Sequence, residues 1–480
     1  MPFALVVALL AMPLAGASTA PTLKPAAAVV KKTALPVPPP SGATEATSKA
    51  FPFPTELHAL PNGLRVVLVP YDSPGLVAYY TLMRVGSRNE AEKGRSGYAH
   101  FFEHMMFRGT KAHPASEYNA TVTKLGLNTN AFTDFDMTVY HLYGPAKALP
   151  TIIDYEGDRF RNLEYDEAAF KTEAGAILGE YAKNASNPEE RLWEKMLETA
   201  YDRHTYRHTV IGYLDDVKAM PGGFAYSREF FRRYYTPDNA TIIVVGEFDK
   251  TATLSRIEKA YGGWQGKLDP VEIPREPRQV KSRRAQVAWP TPTLPRLWIA
   301  WHAPSSDDLT AAATESLLNA YLFGPTSPLY QSLVLGKQLV DSMEATYYDH
   351  RDPFLFGVLL RVKEPKDLKR VEQAVLRDVS TLAKGTVDPV RMNAVRTNLK
   401  YGNVMGLDKA DSLAVTLAQY TAQTGDVDSI NKLFARIETL KPADLSTFTK
   451  KNLLDINRTT VTLLTQAGPH KSAAKSGGAR

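Results

Sequence analysis

His100 and His104 stand four residues apart in the run S-G-Y-A-H-F-F-E-H-M-M-F-R-G-T, with Glu103 between them. No proline falls between Ser96 and Thr110, and Gly109 stands where a helix would stop, so the run reads as a helix. On a helix, residues four apart leave the same face one turn apart. Two imidazoles so placed can reach one ion at about 2.0–2.1 Å, while the Glu103 carboxylate hangs beside it without having to bind. That is the equipment for metal-assisted hydrolysis: an open position for water and a base to take its proton. The chain holds ten histidines, so coincidence is the rival reading. A third protein ligand has to come from elsewhere.

One place offers it. The stretch Tyr165 to Lys183 reads as a helix headed by Asp166, and it carries E-A-G-A-I-L-G-E, with Glu173 and Glu180 seven apart on one face. A solvated helix carboxylate is the bland reading of each. Both nevertheless sit in the most apolar part of that helix, where a free carboxylate is costly unless something positive compensates it. A zinc ion would do so.

Around these two helices the chain reads as a large soluble protein. Its 480 residues allow two to four domains, and 44% hydrophobic with 22% charged residues is ordinary globular composition. The net charge of +6 is spread without a Lys/Arg block, which argues against a nucleic-acid partner. The absence of cysteine excludes disulfides, thiolate zinc sites and thiol catalysis. Residues 1–20 hold an apolar run followed by small residues and read as a signal peptide, although no Lys or Arg precedes the run. Export to a bacterial periplasm is the expectation, with a membrane tether through an uncleaved N-terminus as the rival. No later run is long enough to span a membrane, so no span is expected in the mature chain. Residues 21–53, rich in Pro, Ala and Lys, read as an extended tether, with order beginning near Thr55.

From there E-L-H-A-L, Pro61-Asn62-Gly63 and L-R-V-V-L-V-P read as strand, tight turn and strand. Gly75 to Val85 reads as a further strand leading to the motif helix. K-L-G-L-N-T-N-A-F-T-D-F-D-M-T-V-Y-H-L-Y-G reads as one or two strands turning near Asp134-Phe135-Asp136, and Pro150 to Asn162 as a helix.

At this point the chain resembles the M16 (pitrilysin or insulinase-like) metallopeptidases, including the two-domain, processing-peptidase-like bacterial members. H-x-x-E-H is their inverted zinc-peptidase signature. Here it is followed 76 residues after His104 by Glu180, itself preceded seven positions earlier by Glu173. G-S-R-N-E (86–90), N-A-F-T-D (130–134), H-T-Y-R-H (204–208) and N-A-T-I-I-V-V-G (239–246) are similar to family landmarks in family order. The resemblance covers residues 55 to 466. It implies an α+β fold of two homologous domains, each a mixed or antiparallel β-sheet packed against helices (the M16/LuxS-like metallopeptidase fold). It implies one Zn2+ per chain on His100, His104 and Glu180, Glu103 as base, and Glu173 as supporting carboxylate. Extended peptide substrate would lie along Asn128, Asn130, Ala131, Phe132 and Thr133, although Phe132 also suits plain core. His204 and His208 match a landmark that is not a ligand and read as structural. His58, His113, His141, His302, His350 and His470 are assigned no chemistry.

The second half echoes the first. The segment around Asn457 repeats that around Asn239, and T-E-S-L-L-N-A-Y-L-F-G ending at Gly324 repeats the motif helix ending at Gly109. Overlaid, His100, Glu103 and His104 fall opposite Glu315, Leu318 and Asn319, which cannot bind zinc that way. The expected layout is a catalytic domain at 54–270, an inactive homologue at 271–468 and a disordered tail at 469–480. In the resemblance, the inactive domain carries an Arg and a Tyr that help hold substrate; here Val334 and Asp341 stand at those positions and can replace neither. A homologous partner subunit supplying them in a heterodimer is therefore expected, a homodimer being the other option. The rival functions are a non-catalytic structural or assembly subunit of the same family and a zinc hydrolase acting on something other than peptides.

Overall fold

The computed structural model describes residues 49–346 and 349–466. The expected signal peptide, tether residues 21–48, the tail and His470 lie outside the described residues. Packed chain begins at Ala50, earlier than the sequence suggested. Ala50 and Phe51 are buried, and the Phe51 N–H donates to Asn431 Oδ1 (2.9 Å) in the second half.

The first sheet has the order β1-β2-β6-β3-β5-β4. β1 (Glu56–Ala59) turns through Asn62-Gly63, with Gly63 at φ +91°, into β2 (Arg65–Pro70). β3 (Leu76–Met83) leads to the motif helix α1 (Tyr98–Met105), which ends in a 3₁₀ turn rather than running on to Gly109. A helix the sequence reading passed over, α2 (Ala115–Leu125), precedes β4 (Asn128–Thr133) and β5 (Thr138–Pro145). Next come α3 (Leu149–Asn162), α4 (Glu167–Asn184) and α5 (Pro188–Ala200). β6 (Ala240–Gly246) enters between β2 and β3, parallel to the former and antiparallel to the latter. Its run A-T-I-I-V-V-G is buried throughout, as a strand covered on both faces must be.

The second sheet repeats the pattern as β7-β11-β8-β10-β9. β7 (Arg283–Trp289) pairs in parallel with β11 (Arg458–Thr465); β8 (Arg296–His302), β10 (Leu355–Val362) and β9 (Val340–Thr346) follow antiparallel. The repeat expected between the segments at Asn239 and Asn457 is thus a repeat of topology.

The halves exchange helices. The apolar face of α5 (Leu192, Met196, Leu197) packs on Trp298, Ala300, Val461 and Leu463 of the second sheet. In return the helix Ala410–Thr424 lays Leu413, Ala414 and Leu417 on Ala78, Tyr80, Leu82 and Ile243 of the first. The Tyr80 hydroxyl seals that contact by donating to Asp411 Oδ1 (2.7 Å). Each half removes from water a sheet face that its own helices leave open, which is the dominant stabilising term in such folds.

Candidate metal centre

α1 begins at Gly97, whose φ of +91° and close approach to the Ile211 carbonyl (2.7 Å from where a Cβ would stand) leave room only for glycine. Tyr98, Ala99, Phe101, Phe102 and Met105 bury one side of the helix; Phe102 stacks on Phe230 at 5.5 Å and Phe101 meets Phe170 of α4 at 4.9 Å. That packing fixes the rotation of α1 against α4 and turns Glu103 and His104 outward. α4 is started by Asp166, whose Oδ1 accepts the Ala169 N–H (2.7 Å), and Glu173 and Glu180 project from it toward α1.

The candidate ligands converge. Glu180 Oε2 lies 3.7 Å from His100 Nε2 and 3.5 Å from His104 Nε2, and one donor atom from each of the three residues falls within 4.8 Å of the others. Ligands of a tetrahedral zinc stand about 3.3 Å apart, so the set fits the ion after a small contraction. The charges fit as well: Glu103, Glu173 and Glu180 surround two imidazoles and leave an excess of negative charge. Burial opposes a charged His104, but hydrogen bonds to Glu173 and Glu180 outweigh it and push its pKa up to about 9. For His100 burial prevails and holds the pKa down, against the pull of Glu103 and Glu180.

Glu173 lies one step out. Its Oε1 meets His104 Nδ1 at 2.8 Å, while Oε2 accepts from Arg108 Nε (2.7 Å) and Nη2. Burial raises the Glu173 carboxyl, and these bonds more than reverse the shift. An Arg108–Glu173–His104 chain of this kind fixes the orientation of a ligand imidazole.

β4 closes the first sheet, so its outer edge carries unpaired backbone groups beside the site. Asn128, Asn130 and Ala131 lie along it; Phe132 is half-buried, leaning on the core shared with the second half. Thr133 does something the sequence reading missed: its hydroxyl donates to Glu103 Oε2 at 2.6 Å. Arg108 was also missed, as was Glu90, which binds the start of α1. His204 and His208 flank a 3₁₀ turn, Thr205–Arg207, rather than sharing a helix face. His204 Nε2 meets Asp352 Oδ2 (2.9 Å) and His208 is buried. Val334 is half-buried against the core, and Asp341 Oδ2 accepts from Arg361 Nε (2.6 Å).

Residues 66–213 match the family model described as insulinase (peptidase family M16), and residues 226–399 match that of the peptidase M16 inactive domain. The chain belongs to the M16 peptidase family. The zinc protease PqqE of Helicobacter pylori is 27% identical over 410 residues, covering 84% of this chain and 91% of that protein. The mitochondrial-processing peptidase subunit beta of Saccharomyces cerevisiae is 22% identical over 409 residues, covering 82% and 87%. The crystal structure of a protease from Helicobacter pylori superposes with a TM-score of 0.79 at 26% identity, covering 86% of this chain and 99% of that one.

Proposed function

We propose that this chain is a zinc-dependent endopeptidase that cleaves extended or unfolded polypeptides, with one zinc held by His100, His104 and Glu180. The observation that carries the reading is the convergence of three donor atoms within 4.8 Å, with Glu103 between the two histidines on α1. Bound zinc supplies Lewis acidity toward the scissile carbonyl and makes an adjacent water acidic. Glu103 would take a proton from the attacking water as its oxygen bonds to the scissile carbonyl carbon, and return it to the amide nitrogen as the C–N bond breaks. Thr133 occupies Oε2 and thereby presents Oε1 to the proton. Glu173, itself held by Arg108, keeps His104 turned with Nε2 toward the ion.

Substrate adds as a strand to the free edge of β4 along Asn128 to Thr133, where backbone hydrogen bonds give affinity with loose sequence demands. Thr133 then belongs both to that edge and to the base. A clamshell enclosure restricts substrates to short or unfolded chains. Its far wall comes from a homologous partner subunit bearing the Arg and Tyr that Val334 and Asp341 replace here. The engagement of Asp341 with Arg361 and the packing of Val334 support that division of labour, as does the relative that is named a subunit. Export to the periplasm is read from the apolar run at 1–20; no helix among the described residues is long and apolar enough to cross a membrane.

Metal analysis combined with cleavage of a quenched peptide mixture, with and without proteins co-purifying from the native source, tests the proposal. Chelator-sensitive cleavage that rises when a partner is added is expected. Zinc without cleavage under every condition would favour a structural subunit, and full enzyme-like rates from the chain alone would remove the partner.

A further inference from the structure

The two imidazoles are held by different means. His104 Nδ1 is fixed by Glu173, whereas the buried Nδ1 of His100 has no hydrogen-bond partner among the described residues. A ligand imidazole is ordinarily anchored through its second nitrogen. The position of His100 therefore rests on packing and on the main chain beneath it, the first turn of α1.

That turn is anchored from outside the helix. Its N-cap, Gly97, has no side chain with which to cap. Glu90, seven residues upstream, serves instead: Oε2 accepts the Gly97 N–H and Oε1 the Ala99 N–H, each at 2.7 Å. The carboxylate is wholly buried at the positive end of the helix, one residue before His100. The loop that carries it is pinned as well. Asn89 Oδ1 accepts the Gly86 N–H (3.2 Å), the Tyr234 hydroxyl donates to the Asn89 carbonyl (3.1 Å), and Arg88 Nε donates to Asp352 Oδ2 (2.5 Å) in the second half.

We propose that Glu90 is a positioning residue for the metal site: its two hydrogen bonds to α1 set where His100 presents Nε2. The inference rests on the reading of His100 as a zinc ligand. An ordinary cap would stabilise the helix without tuning the metal, so the two roles separate in the metal's own properties.

The test measures zinc affinity by chelator competition and the visible spectrum of the cobalt-substituted full chain. Glu90→Gln keeps the shape but turns an amide NH2 toward one of the two N–H donors; Glu90→Asp keeps both acceptor oxygens and falls one methylene short. Asp249→Ala removes an ordinary cap, the acceptor for Ala252 N–H, from the remote helix Lys250–Tyr261 and serves as control. Glu90→Gln should weaken zinc about 10–100-fold and shift the cobalt bands, with Glu90→Asp in between. Asp249→Ala should lower Tm and move neither. Wild-type affinity and spectrum in Glu90→Gln, whatever its Tm, would overturn the proposal. So would failure of both Glu90 variants to fold while the control folds, since Glu90 would then hold the domain and not the ligand. Absence of zinc binding in the wild type is a separate failure and removes the zinc reading itself.

Discussion

The two halves share a strand order and part company at one helix face. In the first, α1 turns His100, Glu103 and His104 toward the carboxylates of α4. In the second, the helix Leu309–Phe323, packed against the helices Pro389–Gly406 and Ser429–Thr439, puts Glu315, Leu318 and Asn319 at the corresponding positions, all buried. Glu315 shows what that covering does. Burial, reinforced by Asp349 and Asp308, pushes its carboxyl well above the ordinary range, and its Oε1 has no hydrogen-bond partner among the described residues. A polar helix face closed over without compensation ends as a neutral, under-bonded group. The same face with Glu103 and His104 only partly covered, and with acids opposite imidazoles, becomes a place for a cation.

The contrast can be broken at several points. The largest effect is expected at Glu103→Gln, which should retain zinc and lose about 10²–10⁴-fold in peptide cleavage rate. Retained activity would make the first half no more catalytic than the second.

Two buried groups, His208 in the first half and Glu315 in the second, should contribute pH dependences of stability of opposite sign. His208, wholly buried and facing Glu90, Asp216 and His204, is pushed by burial down to about 4. Its contribution is fully present above the ordinary value of about 6.5 and is lost as pH falls toward 4, amounting to about 3 kcal/mol. Denaturant unfolding from pH 7 to 4.5 should show that loss, and His208→Asn should flatten it; an unchanged slope contradicts the assignment.

Glu173→Gln should weaken zinc about 10–100-fold, because the His104 ring loses its charged partner. Chelator competition reads this directly, and an unaltered affinity would reduce Glu173 to a buried partner of Arg108 with no hold on the metal. In the second half, Glu315→Gln should stabilise the protein by about 1–3 kcal/mol at pH 7. Since the folded pKa of Glu315 lies above its unfolded value, the wild type loses stability as pH rises past about 4.5. The gain should shrink toward zero as pH is lowered to 4.5. A destabilised variant would show that Glu315 has a partner the contrast denies it.

Much of the site was legible because helical periodicity is local. The four-residue spacing of His100 and His104 and the seven-residue spacing of Glu173 and Glu180 say which side chains share a face, whatever lies opposite. The alternation in N-T-N-A-F-T likewise announced β4, though its place at the sheet edge is a matter of topology. What stayed hidden depends on neighbours brought in by the fold. Glu90 caps a helix it does not belong to, Thr133 reaches Glu103 across thirty residues, and Arg108 pairs with a carboxylate on another helix. An apolar stripe on α5 or on Ala410–Thr424 says that a face is buried but not which sheet buries it, so the exchange between halves left no trace in the pattern. α2, with Tyr118 as its one buried residue, had too thin a stripe to read.

The proposed zinc site depends most on Glu180, the candidate ligand farthest in sequence from the motif. Zinc content of the purified, dialysed wild type and of Glu180→Ala, both verified as folded, tests it directly. One zinc per wild-type chain and essentially none in the variant is the predicted result. A variant that keeps its full complement of tightly bound zinc would mean that the ion is held elsewhere.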